Sequence, residues 1–173
     1  MILLDIETTS LDASTGIVIA IGFISSNGEA KVIFVNKPKE EAKCLKKFLR
    51  ILKEDKEKEV VVWNSSFDIP FLIARCLKHK LDAKVLFEMK IIDLYKFVKE
   101  NLRLKNYKLS EVCRFFGIRK LKIEGSDMLN LYLKALKGDK NSKKLIIKHC
   151  EDDVRALFKL YKRLKNYLPQ NLT

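Results

Sequence analysis

Two acidic residues lie close together near the start of the chain. Asp5 and Glu7 follow the apolar residues 1–4 and flank Ile6. Because successive side chains of a β-strand point to opposite faces, a strand here would present both carboxylates on one face. Neighbouring half-buried carboxylates repel each other unless a positive charge lies between them, and Mg²⁺ prefers oxygen ligands. Taken alone, the pair fits a divalent metal site and a strand that runs out into solvent about equally well.

A third acidic residue interrupts the apolar face of the last predicted helix, at about 142–166. Asp153 occupies a position on this face, which also carries Ile146, Cys150, Leu157, Leu160 and Leu164. An inward carboxylate is unfavourable unless it binds a metal or pairs with a cation, so the alternatives are a metal ligand and a buried salt bridge to a lysine. His149 precedes Asp153 by one helical turn and shares its face, either as part of the chemistry or as a boundary histidine.

A fourth acidic residue lies where a short strand leads into a helix. Asp68 follows the predicted strand 60–63, and Pro70 indicates that a helix begins at 66–68, because proline is tolerated in the first helical turn. Aspartate is also a common helix cap, so Asp68 alone does not distinguish a metal ligand from a cap. Asp93 has a similar position before another helix, and we interpret it as a cap.

The elements that must position these acids begin with strands and end with helices. Strands are predicted over the opening segment and over 17–24, 31–35, 60–63 and 85–92, with a tight hairpin turn at Asn27 and Gly28. Helices are predicted over 40–53, 66–80, 93–101, 109–116, 126–136 and 142–166. No linker or repeat divides the sequence, so we predict one α/β domain over 1–173. Its mixed five-stranded sheet would be flanked by helices, with strands 1–3 forming an antiparallel meander.

The charge of the chain indicates an anionic partner. The 173 residues carry a net charge of +13, and the isoelectric point is near 9.6. Such an excess favours nucleic acid or an anionic membrane, although a lysine-rich solubilising surface would have the same composition. No amphipathic anchor stands out, and no apolar run approaches the roughly 20 residues that cross a bilayer. We therefore expect nucleic acid as the partner and no membrane association.

The cysteine pattern does not predict a zinc site. The chain has no CxxC pair, and its cysteines are widely spaced: Cys44, Cys76, Cys113 and Cys150. Each lies among apolar residues, which is typical of reduced thiols in a protein core. With no signal peptide in the sequence, we expect a cytoplasmic location.

The segments that contain the four acids together resemble the DEDD exonucleases of the ribonuclease-H-like superfamily, and more narrowly their YprB-like branch. Segments 5–12, 66–72 and 149–157 are similar to the patterns DIETTxLD, SFDxPFL and YNxxDVxAL of that branch. Segment 107–117 resembles its YSLKxV…LG pattern. The resemblance extends over essentially the whole chain; its first motif is the most specific and its third the least.

This resemblance implies a fold, a cofactor and a reaction. The fold would be a ribonuclease-H-like sheet with strands two and three antiparallel to the rest. Asp5 and Glu7 would bind metal from the central strand, Asp153 would complete the first metal's shell, and Asp68 would hold a second metal. The cofactors would be two divalent ions, Mg²⁺ or Mn²⁺, and the activity a 3′–5′ exonuclease on single-stranded DNA or RNA.

His149 departs from the pattern of these enzymes. Their tyrosine-type members place Tyr four residues before the last Asp, and their histidine-type members place His five before it; His149 stands at the tyrosine spacing. We expect it to act as a general base or to position water. The predicted nucleic-acid contacts are Thr8, Asn64, Phe67 and Lys148.

Other functions fit the same residues. An endonuclease or junction resolvase could use the same fold, because one fold hosts several activities. A nucleic-acid-binding module with a vestigial site, or a basic scaffold protein, would need no chemistry from the acids.

Overall fold

The computed structural model describes residues 1–25, 28–120 and 128–169, and it has a five-stranded mixed sheet with helices on its faces. In chain order the strands are β1 (Ile2–Thr8), β2 (Val18–Ile24), β3 (Ala30–Phe34), β4 (Glu59–Val62) and β5 (Lys90–Asp93). Their order in the sheet is β3-β2-β1-β4-β5, so β1 is central. The predicted α/β class and five-stranded sheet are confirmed.

The strand directions confirm the antiparallel meander of β1 to β3. β1 pairs antiparallel with β2, and β2 with β3, whereas β1–β4 and β4–β5 are parallel. Because each hairpin reverses the chain, β3 runs in the direction of β1. The implied opposition of strands two and three to the rest was therefore right for β2 and wrong for β3. In the predicted turn, Asn27 lies outside the described residues, while Gly28 adopts φ +73°.

Seven α-helices occur in the described residues, most of them within a few residues of their predicted bounds. They are α1 (Glu41–Glu54), α2 (Ser65–Lys78), α3 (Lys84–Glu88), α4 (Leu94–Asn101), α5 (Leu109–Phe115), α6 (Met128–Leu136) and α7 (Lys140–Leu164). The predicted beginning of α6 at residue 126 lies outside the described residues. No helix in the described ranges is both long and apolar enough to cross a membrane.

The predicted strand 85–92 was wrong in its first half. Residues Lys84–Glu88 form α3, and only Lys90–Asp93 pair with the sheet. Strand β4 has only four residues, so β5 cannot pair with it over a longer stretch. Upstream, the Asp82 carboxylate accepts a hydrogen bond from the Lys84 N–H at 3.0 Å, which favours a helical turn there.

Alternate residues of β1 face two different cores. Ile2, Leu4 and Ile6 pack into the core beneath α1, α2 and α3. Leu3 faces the opposite way, into the core formed with α4, α5 and α7. Asp5 and Glu7 continue the alternation on the Leu3 side, so both acids lie beneath α7.

A buried ion pair joins α1 to α2 and to the loop after β1. The Glu41 side chain is 1% exposed and accepts hydrogen bonds from Arg75 Nε at 2.9 Å, Arg75 Nη2 at 2.6 Å and the Val18 N–H at 2.8 Å. His79 Nε2 lies 2.7 Å from the same carboxylate, and Arg75 also donates to the Ala13 carbonyl. Burial by itself would raise the pKa of Glu41, but these hydrogen bonds outweigh it and hold that pKa below its usual value.

Substitution Glu41→Gln is expected to lower the free energy of unfolding by about 3 kcal/mol at neutral pH, because it leaves Arg75 buried without its counter-charge. The folded-state pKa of Glu41 is lowered, so its contribution is present above the usual glutamate pKa and is lost as pH falls through the lowered value. Urea unfolding at neutral and at acidic pH would measure the free energy of unfolding of both proteins. The difference between wild type and variant should be smaller at acidic pH.

The matched control is Glu151→Gln, which breaks the exposed pair of Glu151 with Arg155. That change is expected to cost less than about 1 kcal/mol. An equal loss in both variants would contradict a special role for the buried pair.

Candidate metal centre and adjoining cleft

Asp5 and Glu7 lie on the central strand at a point where a helix can approach very closely. Asp5 is paired with Gly22 of β2. A Cβ atom on Gly22 would lie 2.8 Å from the Cys150 sulfur and 2.9 Å from the Cys150 carbonyl oxygen. The absence of a side chain at Gly22 therefore lets α7 pack directly against the sheet beside the two acids.

This close packing brings His149 and Asp153 to the acids of β1. His149 is 5% exposed. Its Nε2 lies 3.4 Å from Glu7 Oε1, and its Nδ1 lies 3.7 Å from Asp153 Oδ1. The imidazole is thus placed between the carboxylates of Glu7 and Asp153, and the shared helical face expected from their spacing is confirmed.

Asp68 approaches β1 from α2, which packs on the face of the sheet opposite to α7. The parallel pairing of β1 with β4 covers Ile2 and Leu3 only. Further along β1, the Ile6 N–H donates to Asp68 Oδ1 at 3.2 Å. Asp68 is buried within α2, which begins at Ser65, so it is not the residue that caps the helix. Its carboxylate instead fixes the first turns of α2 against β1.

Asp93, interpreted as a cap, does cap α4. Its carboxylate accepts from the Lys96 N–H at 3.1 Å. The same carboxylate also accepts from the N–H groups of Asn64 and Ser65 and from the Ser65 hydroxyl, at 2.8 to 3.2 Å. Asp93 therefore ties the beginning of α4 to the beginning of α2, a role that the sequence pattern did not indicate.

Burial and mutual repulsion raise the pKa values of the clustered acids. Burial, followed by the charge of Asp153, raises the pKa of Glu7 to about 8. Burial is also the main cause that raises the pKa of Asp68 to about 7. The pKa of Asp5 is raised well above its usual value by burial and by the charges of Asp153, Glu7 and Asp68. Protons or cations are needed to hold these groups together.

The donor atoms fit a hard divalent cation. Asp5 Oδ2 is buried and has no hydrogen-bond partner among the described residues. Potential ligand atoms of Asp5, Glu7 and Cys150 lie within 4.8 Å of one another. Burial raises the pKa of the Cys150 thiol well above its usual value, and its sulfur lies 3.9 Å from the Asp5 carbonyl oxygen. A protonated, soft thiol is a poor ligand for Mg²⁺, so the carboxylates are the fitting donors.

Lys120 is a member of the cluster that no sequence pattern indicates. Its Nζ lies 2.6 Å from Asp153 Oδ1, and its side chain is only 7% exposed. The salt-bridge alternative for Asp153 is therefore realised. Lys120 belongs to a set of 35 lysines and arginines, and no spacing rule singles it out from the others.

A cleft of about 640 Å³ is lined by Asp5 and Asp68 and by residues that follow β4 and β5. Two predicted nucleic-acid contacts, Asn64 and Phe67, line it. Thr8 lies at the end of β1, where its hydroxyl donates to the Ser10 carbonyl at 2.7 Å. Lys148 is exposed on α7 and does not line the cleft.

Three comparisons identify similar proteins. The model of the RNase_H superfamily matches residues 2–165. The uncharacterized protein MJ0365 of Methanocaldococcus jannaschii is 29% identical over 168 residues, which cover 94% of this chain and 93% of that protein. The family B DNA polymerase of the hyperthermophilic archaeon Pyrobaculum calidifontis superposes with a TM-score of 0.84 at 21% identity. That match covers 96% of this chain but 24% of the polymerase, so it concerns the fold of about a quarter of the larger protein.

Divalent metal is expected to stabilise the protein, because ligand binding to the folded state alone adds free energy of unfolding. At a metal concentration about 100 times the dissociation constant, the gain is about 2.7 kcal/mol, or a rise in melting temperature of about 5–10 °C. Differential scanning fluorimetry with Mn²⁺, Mg²⁺ and chelator would measure it. Asp153→Asn should lose most of the shift and Asp152→Asn, the same charge change next to it, should keep it. Equal losses in both variants would contradict the assignment of Asp153.

Substitution Lys120→Met is expected to destabilise the metal-free protein and to tighten Mn²⁺ binding, because it removes a cation that competes for Asp153. If removal of Lys120 makes the free energy of Mn²⁺ binding more favourable by about 1.4 kcal/mol, the dissociation constant falls about tenfold. Isothermal titration calorimetry would measure it, with the exposed neighbour Arg119→Met as the charge-matched control. Weaker Mn²⁺ binding in Lys120→Met would mean that Lys120 holds Asp153 in its binding position instead of competing for it.

Proposed function

The chain belongs to the RNase_H superfamily, and on that premise we propose that it is a metal-dependent nuclease of the DEDD type that removes nucleotides from the 3′ end of a single strand. The observation that carries this proposal is the convergence of Asp5, Glu7, Asp68 and Asp153 on one end of β1. Clustered buried carboxylates are costly in a protein that binds no cation, and they suit hard divalent metals.

The proposed ligands come from three elements. Asp5 and Glu7 from β1 and Asp153 from α7 would hold one divalent ion, and Asp68 from α2 would take part in holding a second, each Mg²⁺ or Mn²⁺. Bound in this way, two metals supply activation of water and stabilisation of the leaving oxygen in phosphodiester hydrolysis. The hydrogen bond from the Ile6 N–H keeps Asp68 aimed at the cluster.

His149 is the proposed general base. Burial lowers the pKa of His149, so the imidazole is neutral at about pH 7 and able to accept a proton. Nδ1 is buried and has no hydrogen-bond partner among the described residues. In the tautomer that carries its proton on Nε2, which faces Glu7, the lone pair of Nδ1 lies on the side of Asp153 and is the proposed proton acceptor.

Two further observations support nucleic acid as the substrate. The net charge of +13 attracts a polyanion over distances of about a Debye length, roughly 8 Å at physiological salt. A solved protein with a similar fold is a DNA polymerase, an enzyme whose substrate is nucleic acid.

The Lys120 contact favours a second candidate function. A lysine at 2.6 Å from Asp153 neutralises part of the cluster without any metal. A nucleic-acid-binding module that has lost catalysis would keep such an ion pair permanently. Metal binding that displaces Lys120 distinguishes an enzyme from this module.

Hydrolysis of end-labelled single strands tests the proposal. With Mn²⁺ or Mg²⁺, 5′-labelled DNA or RNA should give a ladder that shortens from the 3′ end, and chelator should abolish it. Asp153→Asn should be inactive, and His149→Gln should be slower by about 10²–10⁴-fold, as is typical when general-base catalysis is lost. Asp152→Asn is the matched active control.

Modified strands separate the alternative activities. A strand blocked at its 3′ end should resist a 3′–5′ exonuclease. Cleavage of a strand that is blocked at both ends would replace the exonuclease assignment with an endonuclease. Tight binding of both polymers with no metal-dependent hydrolysis would favour the non-catalytic module.

A further inference from the structure

The cleft beside the carboxylates has a wall of aromatic side chains. The ring centroids of Trp63 and Tyr95 are 5.8 Å apart with an interplanar angle of 79°, and those of Tyr95 and Tyr107 are 6.5 Å apart at 83°. All three rings line the cleft and are partly buried. Coordination of metal by the acids does not require these rings. Trp63 and Tyr107 also pack against the core formed with α4, α5 and α7, and they line the cleft as well.

The wall is held in place by hydrogen bonds. The Tyr107 hydroxyl donates to the Leu102 carbonyl at 3.0 Å and accepts from the Leu104 N–H at 3.3 Å. Both hydrogen bonds lie within the loop that carries Tyr107. Asp93 ties the beginning of α4, which carries Tyr95, to the beginning of α2. A cleft whose walls are cross-linked in this way is preformed, which lowers the entropy cost of binding.

The rim of the cleft is cationic. Lys105 and Lys108 line it and are exposed, and neither makes an ion pair with any described residue. Asp5 and Asp68 line the same cleft. The lining therefore combines carboxylate, aromatic and ammonium groups.

We propose that this cleft binds one or two unpaired nucleotides of the substrate strand, with bases stacked on the Trp63–Tyr95–Tyr107 wall and phosphates facing Lys105 and Lys108. The volume of about 640 Å³ lies within the range of about 300–1,000 Å³ that small-ligand pockets occupy. Stacking on aromatic rings requires a free base face, which a base inside a duplex does not offer. The inference rests on the proposed function in one respect: the nucleic-acid strand in the cleft is taken to be the strand whose end is cleaved at the carboxylates.

Trp63 provides a direct readout, because it is the single tryptophan of the chain. In chelator, where no hydrolysis occurs, a short oligothymidylate should quench Trp63 emission on titration. An abasic oligonucleotide of the same length, a blunt duplex and thymidine monophosphate should each bind more weakly and quench less. Equal binding and quenching by the abasic strand would overturn the proposal, because it would show that phosphates alone are recognised.

Variants of Tyr95 separate stacking from folding. Tyr95→Leu should weaken oligothymidylate binding at least about fivefold, corresponding to about 1 kcal/mol for one stacked base, while Tyr95→Phe should keep it. Tyr167→Leu is the matched control, since Tyr167 is 75% exposed and does not line the cleft. Lys105→Ala and Lys108→Ala should each reduce the salt dependence of binding, by a slope of about 0.7. Unchanged affinity in Tyr95→Leu, with a wild-type melting temperature, would also overturn the proposal.

The same variants distinguish failure of this inference from failure of the nuclease assignment. Base-dependent quenching without any metal-dependent hydrolysis would leave the cleft assignment standing and remove the nuclease. Metal-dependent hydrolysis that is equally fast in wild type and Tyr95→Leu at limiting substrate would leave the nuclease standing and remove the cleft.

Discussion

Repulsion among buried carboxylates is the constraint on which the rest of this structure depends. Asp5, Glu7, Asp68 and Asp153 meet at the end of the central strand, where burial raises their pKa values. Such a group is held together only if the surrounding elements are rigid enough to oppose its separation. Three devices do this: the glycine at position 22, which admits α7 to the sheet; the Ile6 N–H, which holds Asp68; and the buried ion pair that fixes α2 against α1 and the loop after β1.

The sequence predicts those parts of the molecule that follow from local period. Alternation in β1 places Asp5 and Glu7 together, and helical spacing places His149 beside Asp153, because each of these placements follows from the geometry of a single element. The parts that escape prediction depend on contacts between distant segments. Lys120 pairs with Asp153 across 33 positions of the chain, and its identity among many lysines is decided by the path of the chain after α5. The division of 85–92 into a helix and a strand is likewise decided by the four-residue length of β4.

Asp93 illustrates how a correct local prediction can miss the larger role. Capping of α4 was expected from its position, and the structure confirms it. The same carboxylate accepts three further hydrogen bonds from Asn64 and Ser65, because the parallel strands β4 and β5 end at the same edge of the sheet. Positive φ at Asn64 turns the chain sharply there, so the backbone N–H groups at the beginning of α2 point toward Asp93. Nothing within either segment alone specifies this meeting.

The first turns of α2 connect the two proposed binding regions physically. Asn64 and Phe67 line the cleft, and Asp68, one residue further, belongs to the carboxylate cluster. A base seated on the cleft wall and a cation held by Asp68 would therefore both restrain the same short piece of backbone. Two ligands that favour the same conformation of a shared element must raise each other's affinity, and by the same factor. Under the proposed function, a strand in the cleft and a metal at the carboxylates would therefore be coupled through the first turns of α2, which both of them would contact.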